Sequence, residues 1–296
     1  MLRVIFAAIS LIVALCGPCF HAWSNEIYLE GEGETAVTSL IEKLPNRLRT
    51  ERNLVADLKS LFLGYEGYCT GMKITEDGRI LIIMHDKTRV LYDDRIEKSF
   101  EDKLDRPDLE DMLSQVYIPG KVAGELPDEY DPGRFRVSAF FKSVYGRTPA
   151  DVKADLISIK FCGTRVQFNT QNGAAKALEK VSSELTELLK QSPNLSAYVF
   201  PLAGTFSWRN VAGTSRLSPH SFGTAIDLST KHGAYWRWKK PGTSIAALRD
   251  SYPNEIVAIF EKHGFIWGGK WFHYDFMHFE YRPELFLKAR FLRLDR

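Results

Sequence analysis

The chain has 296 residues, with 39 Lys and Arg against 37 Asp and Glu, so its formal charge is only +2 at pH 7. That balance argues against a dedicated binder of nucleic acid, which carries a strong basic excess. An apolar fraction of 45% and a charged fraction of 26% exclude a disordered chain and supply a sizeable core. The length accommodates a catalytic unit plus an accessory region.

The N-terminus follows the plan of a secretory signal. Arg3 precedes an uncharged apolar run from Val4 to Leu15, then Gly17-Pro18, and Ala22-x-Ser24 offers small residues for cleavage. The run is shorter than the roughly 20 residues needed to span a bilayer, and no later segment is apolar enough to do so. The expected organisation is a signal over residues 1–24, an N-terminal region over 25–155 and a catalytic domain over 156–296, in a secreted or periplasmic protein. Loss of the signal leaves two cysteines, Cys69 and Cys162. In an oxidising compartment they predict one disulfide, with two separate buried thiols as the alternative.

Beyond the signal, apolar residues from Val37 to Leu44 and from Leu54 to Phe62 recur at helical spacing and predict two short amphipathic helices. Met72-Lys73-Ile74 and Arg79 to Met84 flank Asp77-Gly78, a hairpin turn, and Thr88 to Tyr92 supplies a third strand. Residues 118–133, rich in Gly and Pro, read as a long irregular connection. No chemistry is recognisable in this half. Leu156 to Phe168 is β-rich, and Ala174, Leu178, Val181, Leu185 and Leu188 form the core stripe of a following helix. Ser196 to Phe200 and Gly223 to Ser229 read as strands, Asn254 to Lys262 as a helix stopped by Gly264, and Met277 to Tyr281 as a final strand. Helices and strands without a βαβ rhythm predict an α+β fold, an antiparallel sheet with flanking helices plus an N-terminal α+β region.

Fifteen of the 37 aromatic residues and five of the seven histidines lie between Trp208 and Tyr281. Within this stretch stands Ser218-Pro-His220-Ser-Phe-Gly223-Thr-Ala-Ile-Asp227, followed by Asp275-Phe-Met-His278-Phe-Glu280. Two histidines and an aspartate make a three-ligand set with an open fourth position, the composition of a catalytic zinc site. Strand alternation turns Ala225 and Asp227 to one face, leaving space beside the carboxylate, and sets His278 and Glu280 on one face of the last strand.

The pattern S-x-H-x-x-G-x-A-x-D followed by D-x-x-H resembles that of the zinc D-alanyl-D-alanine carboxypeptidases of the vancomycin-resistance type and the L-alanyl-D-glutamate endopeptidases of phage endolysins. The resemblance covers residues 156 to 290 and implies the lysostaphin/D-Ala-D-Ala peptidase/hedgehog fold. It further implies zinc held by His220, Asp227 and His278, with Asp275 as general base. Asp275 stands where the vancomycin-resistance enzymes have Glu and matches the endolysin-type branch, so carboxypeptidase and endopeptidase activity both stay open. Arg209 resembles the arginine that holds the substrate carboxylate or the oxyanion, with Arg216 as a competitor for that role. Ser218 occupies a substrate-contacting position. Glu280 is the substitute base, and His273 either serves the oxyanion or sits on a loop. Trp236, Trp238, Trp267 and Trp271 either floor the cleft or pack in the core. His85, His232 and His263 read as structural or surface residues. The implied substrates are peptidoglycan stem peptides; the competing reading is a zinc-containing binding module without hydrolysis.

Overall fold

The computed structural model describes residues 26–239 and 241–294; the signal-like segment, with Cys16 and Cys19, lies outside them. The chain is α+β with antiparallel sheets. Its first half opens with strand β1 (Glu26–Tyr28) and helices α1 (Gly33–Glu42), α2 (Asn46–Arg49) and α3 (Arg52–Gly64). The strands β2 (Cys69–Ile74), β3 (Ile80–Met84) and β4 (Arg89–Leu91) follow, and the four pair in the order β1-β2-β3-β4. The predicted Asp77-Gly78 turn joins β2 to β3, with Ile74 opposite Ile80.

Four short helices lead to the second half: α4 (Phe100–Asp105), α5 (Leu109–Leu113), α6 (Ser138–Tyr145) and α7 (Pro149–Ala154). Both α5 and α7 begin with capping boxes, Asp108 with Asp111 and Thr148 with Asp151, so short sequences still satisfy their first amide groups. Residues 118–133 are irregular, as their Gly and Pro content predicts. Then come the hairpin β5 (Leu156–Phe161) and β6 (Thr164–Asn169), helix α8 (Ala174–Gln191), and a single helical turn, α9 (Ser196–Val199). The strand expected over Ser196 to Phe200 is therefore replaced by helix: an apolar run this short has no period to separate the two, and Pro193 starts a tight turn that α9 continues. The remaining elements are β7 (Ala225–Asp227), α10 (Ile245–Ser251), α11 (Asn254–Lys262), β8 (Phe265–Trp267), β9 (His278–Tyr281) and α12 (Pro283–Phe291). The strand β9 is central in a three-stranded sheet ordered β7-β9-β8.

Two apolar cores organise these elements. One gathers Leu40, Leu58, Phe62, Met72, Ile82, Leu113 and Phe140 from the first half. The other gathers the α8 stripe, Ala174, Leu178, Val181 and Leu185, against Phe168, Ile226, Phe260, Phe265 and Phe279. Ile266, Trp271 and Leu285 cross over, packing in the first core although they belong to the last third of the chain. Helix α12 lies against α3, and buried Lys288 pairs there with Asp57 at 2.6 Å. Burial pushes the Asp57 carboxyl up to about 6 against the pull of Lys288 and of the Tyr92 hydroxyl.

The predicted Cys69–Cys162 disulfide is absent. Both cysteines are free thiols. Cys69 is buried in the first core, whereas Cys162 sits at the β5–β6 turn, where its amide donates to Ser182 Oγ of α8 at 2.9 Å. The two residues serve different cores, and burial raises both thiol pKa values, Cys69 far above the ordinary range.

The halves are joined instead by buried charge. Arg282 is fully buried, donates Nη1 to Gly133 O at 2.6 Å and Nε to Glu284 Oε1 at 2.5 Å, and faces Glu280 at 3.5 Å. Glu284 in turn accepts the Tyr65 hydroxyl at 2.9 Å, at the end of α3. Gly133 is required here twice over: its φ is +91°, and a Cβ would stand 2.5 Å from Ile266 Cδ1. Replacing Arg282 by Met leaves buried Glu284 without its cation and Glu280 with Arg136 alone. Urea denaturation of Arg282→Met is expected to read a loss of about 3–5 kcal/mol; a change below about 1 kcal/mol would show that the network is not a structural tie.

Candidate metal centre

His220 lies in the tight helical turn Pro219–Phe222. Pro219 opens that turn and Ser218 caps it, its Oγ accepting the His220 amide at 3.3 Å. Gly223 ends the turn at φ +67°, with its carbonyl accepting the Asn169 amide, so the chain can pass from His220 into β7 within five residues. A Cβ there would lie 2.6 Å from Leu156 Cδ2. Asp227 closes β7 and sits directly opposite His278, the first residue of β9. Sequence spacing brings His220 to Asp227, and sheet pairing brings His278, some fifty positions further on, to the same point.

The ligand atoms of His220, Asp227 and His278 all lie within 4.8 Å of one another. Asp227 bridges them: its Oδ2 is 3.1 Å from His220 Nε2 and its Oδ1 2.9 Å from His278 Nδ1. The opposite ring atoms are held from behind. His220 Nδ1 is 2.5 Å from Thr205 O, which fixes Nε2 as the inward nitrogen, and His278 Nε2 points to Glu280 Oε2 at 3.6 Å. Such outer partners orient imidazole ligands around a metal. Burial would raise the Asp227 carboxyl, but His220 first and His278 after it hold it well below the carboxylate range. Burial would lower His278, yet the hydrogen bonds to Asp227 and Glu280 raise it to about 9. Two imidazoles crowded onto one carboxylate, each with its far nitrogen engaged, fit a tetrahedral cation such as zinc.

Asp275 stands beside this set. It leaves the β8–β9 connection with its amide donating to Gly268 O at 2.9 Å and its carbonyl accepting the His278 amide. Its Oδ1 is sealed from solvent and has no hydrogen-bond partner. Burial pushes its carboxyl up to about 6. A buried carboxylate oxygen without a donor costs free energy unless a ligand or reactant engages it.

These residues surround one cleft of about 260 Å³, lined by His220, Asp227, His278 and Asp275 together with Arg209 and Ser218. Arg209 is exposed at its rim, anchored through its amide to Ser221 Oγ, whereas Arg216 turns away to Asp105. Ser218 is buried and occupied as a cap. Glu280, the substitute base, faces the metal set only from behind: Arg136 and Arg282 hold it fully buried, and although burial would raise its carboxyl, Arg136 keeps it far below the usual range. Trp267 and Trp271 are buried, but Trp238 is 61% exposed and lines the cleft beside Tyr235. His85 bonds the Ser143 carbonyl, His232 stacks on Tyr198 and His263 pairs with Glu184.

The first half does carry chemistry, contrary to expectation. Asp131, fully buried, accepts the His273 amide on Oδ1 and His273 Nδ1 on Oδ2 at 2.7 Å, so His273 enters the cleft held by a carboxylate rather than loose on a loop. Arg134 and Arg136 line the same cleft. Their sequence signal is slight: in Asp131-Pro-Gly-Arg-Phe-Arg136 two arginines alternate with the buried Phe135, as in an extended segment with one charged face.

A His-Asp-His set drawn from one tight turn and two adjacent antiparallel strands, with a buried spare carboxylate on the same cleft, has the donors that a catalytic metal centre requires. Residues 212–281 match the model of a family described as D-alanyl-D-alanine carboxypeptidase. No curated protein and no solved structure matches the chain. The Glu280→Gln exchange removes the charge behind His278 and is expected to weaken zinc binding about 10- to 100-fold in chelator competition; unchanged affinity would remove Glu280 from the centre.

Proposed function

We propose that the protein is a secreted or periplasmic zinc peptidase that hydrolyses a peptide bond in peptidoglycan stem peptides, with Asp275 as general base. The observation that carries this reading is the unpartnered, sealed Oδ1 of Asp275 on the cleft of the His220–Asp227–His278 set. Among the described residues no helix is long and apolar enough to cross a membrane, and the secretory placement is supported by the signal-like N-terminal sequence.

His220 Nε2, Asp227 and His278 Nδ1 would hold the zinc, which when bound supplies Lewis-acid polarisation of the scissile carbonyl and an acidified water. Asp275 takes the proton of the attacking water and returns it to the leaving amine, a role open to a buried carboxylate with a free oxygen on the cleft. Arg209, exposed on the rim, is placed for a substrate carboxylate or for the oxyanion, where a planar guanidinium offers paired donors. Ser218 binds substrate through its surface on the cleft while its Oγ keeps the turn of His220 in shape. His273 is held on the cleft by Asp131, to whose carboxylate its Nδ1 donates. Trp238 and Tyr235 form an exposed aromatic wall for the peptide chain.

Two experiments test this. Zinc analysis of the purified protein should find one equivalent per chain, lost in His220→Ala; an active metal-free protein would sink the zinc assignment. Mass analysis of peptidoglycan fragments incubated with zinc-loaded protein should identify the bond lost, and Asp275→Ala should abolish the cleavage, by at least about a hundredfold, with zinc retained. Full residual activity in Asp275→Ala would remove it from the mechanism. Peptide binding without cleavage by the unaltered protein would favour the binding-module reading.

A further inference from the structure

The cleft of the metal set does not end at its own wall. A second hollow of about 430 Å³ adjoins it, and Arg134 and Arg136 line both. Arg106, Lys142 and Arg216 also line the larger compartment, against a single carboxylate, Asp105. Its floor is apolar, with Leu104, Phe141 and Phe222.

Three of the five cations are already engaged. Buried Asp131 holds Arg134, buried Glu280 holds Arg136, and Asp102 pairs with Arg106 on the surface. The other two are not matched in this way. Arg216 meets only Asp105, whose side chain is 62% exposed, and this contact, from the solvent-sealed Nη1 at 3.3 Å, is an ion pair without hydrogen-bond geometry. Burial lowers the pKa of Arg216, and while Asp105 opposes this, the fields of Arg134 and Arg136 add to it. Lys142, in the last turn of α6, forms no ion pair among the described residues. A carboxylate entering the compartment would add a hydrogen-bonding acceptor for Arg216, held so far only by the exposed Asp105, and relieve the repulsion among three guanidinium groups.

We propose that this compartment binds the acidic arm of the substrate, a peptide segment whose free carboxylate is met by Arg216 and Lys142 while the chain runs on past Arg134 and Arg136 to the metal set. The proposal rests on the peptidase reading for the direction of the chain. The shared wall makes one continuous groove, and the apolar floor suits the methylene and methyl groups of a peptide. It does not suit a polyphosphate backbone, which asks for a long cationic stripe.

The test uses the pentapeptide L-Ala-γ-D-Glu-L-Lys-D-Ala-D-Ala, with the α-carboxylate of its glutamate free, and the same peptide with that carboxylate amidated. Binding is read by calorimetry on the zinc-loaded Asp275→Ala protein, where nothing is consumed. The free acid should bind about tenfold more tightly at low salt, two charge-assisted contacts being at stake. That preference should fall to about threefold or less in the double variant Arg106→Gln/Lys142→Gln and in Arg216→Gln, with thermal unfolding and zinc content unchanged in the double variant, whose side chains have no buried partner to lose. Equal binding of the two peptides, no binding of either, or a preference that survives both sets of substitutions would overturn the proposal. Turnover by the unaltered protein is read separately: a preserved binding preference without hydrolysis would defeat the peptidase reading and leave the acid-binding compartment standing.

Discussion

A chain of buried charges behind β9 is the constraint on which the rest depends. Arg136 and Arg282 hold Glu280, Arg282 also holds Glu284, and Glu284 accepts the hydroxyl of Tyr65 at the end of α3. Every member except Arg136 is fully or almost fully buried. Charges removed from water in this way are stable only while each partner stays in place. One end of the chain is the back of His278, one of the three candidate metal ligands; the other is the helical scaffold of the first half. The site and the N-terminal fold are therefore parts of one electrostatic object, although they occupy different cores.

The same logic explains the economy of the front of the site. No long helix or deep barrel positions the ligands. A proline-opened, serine-capped turn, a glycine that reverses it and two short paired strands suffice, because each histidine is gripped on its outer nitrogen by a fixed acceptor, Thr205 O for one and Glu280 for the other. Pre-oriented rings lose little freedom when a cation arrives. Asp275 belongs to the opposite category. Its free oxygen is an unsatisfied site within an otherwise well-bonded wall, and such sites concentrate where reactants bind.

Much of this was legible in the sequence because the information was local. His220, Gly223 and Asp227 fall within one turn and strand, and Asp275 and His278 within one strand approach, so residue type and spacing carried the chemistry. The helices α3, α8 and α11 and the Asp77-Gly78 hairpin followed from periodicity and turn residues for the same reason. What escaped was long-range. Asp131, Arg134 and Arg136 sit in a stretch with no period, and only the docking of that stretch against Trp271 and Arg282 turns it into a wall of the cleft. Glu280 looked like a spare base, because its neighbours across the sheet and from the first half are invisible along the chain. The disulfide failed on a similar point: compartment and count favour pairing, but only packing decides whether two thiols meet. The Ser196 to Phe200 strand failed because so short an apolar run suits either a strand or a helical turn.

The pairing of Asp227 with His278 across β7 and β9 has a further consequence. Because side chains alternate along a strand, sliding β9 by one residue would carry His278 to the far face and Phe279 into the ion's place. A cation held by these residues would thus act as a proofreader of strand alignment, rewarding one registration and no neighbouring one. Misaligned chains would form a similar sheet with no affinity for the ion, so metal occupancy would count correctly assembled molecules one by one.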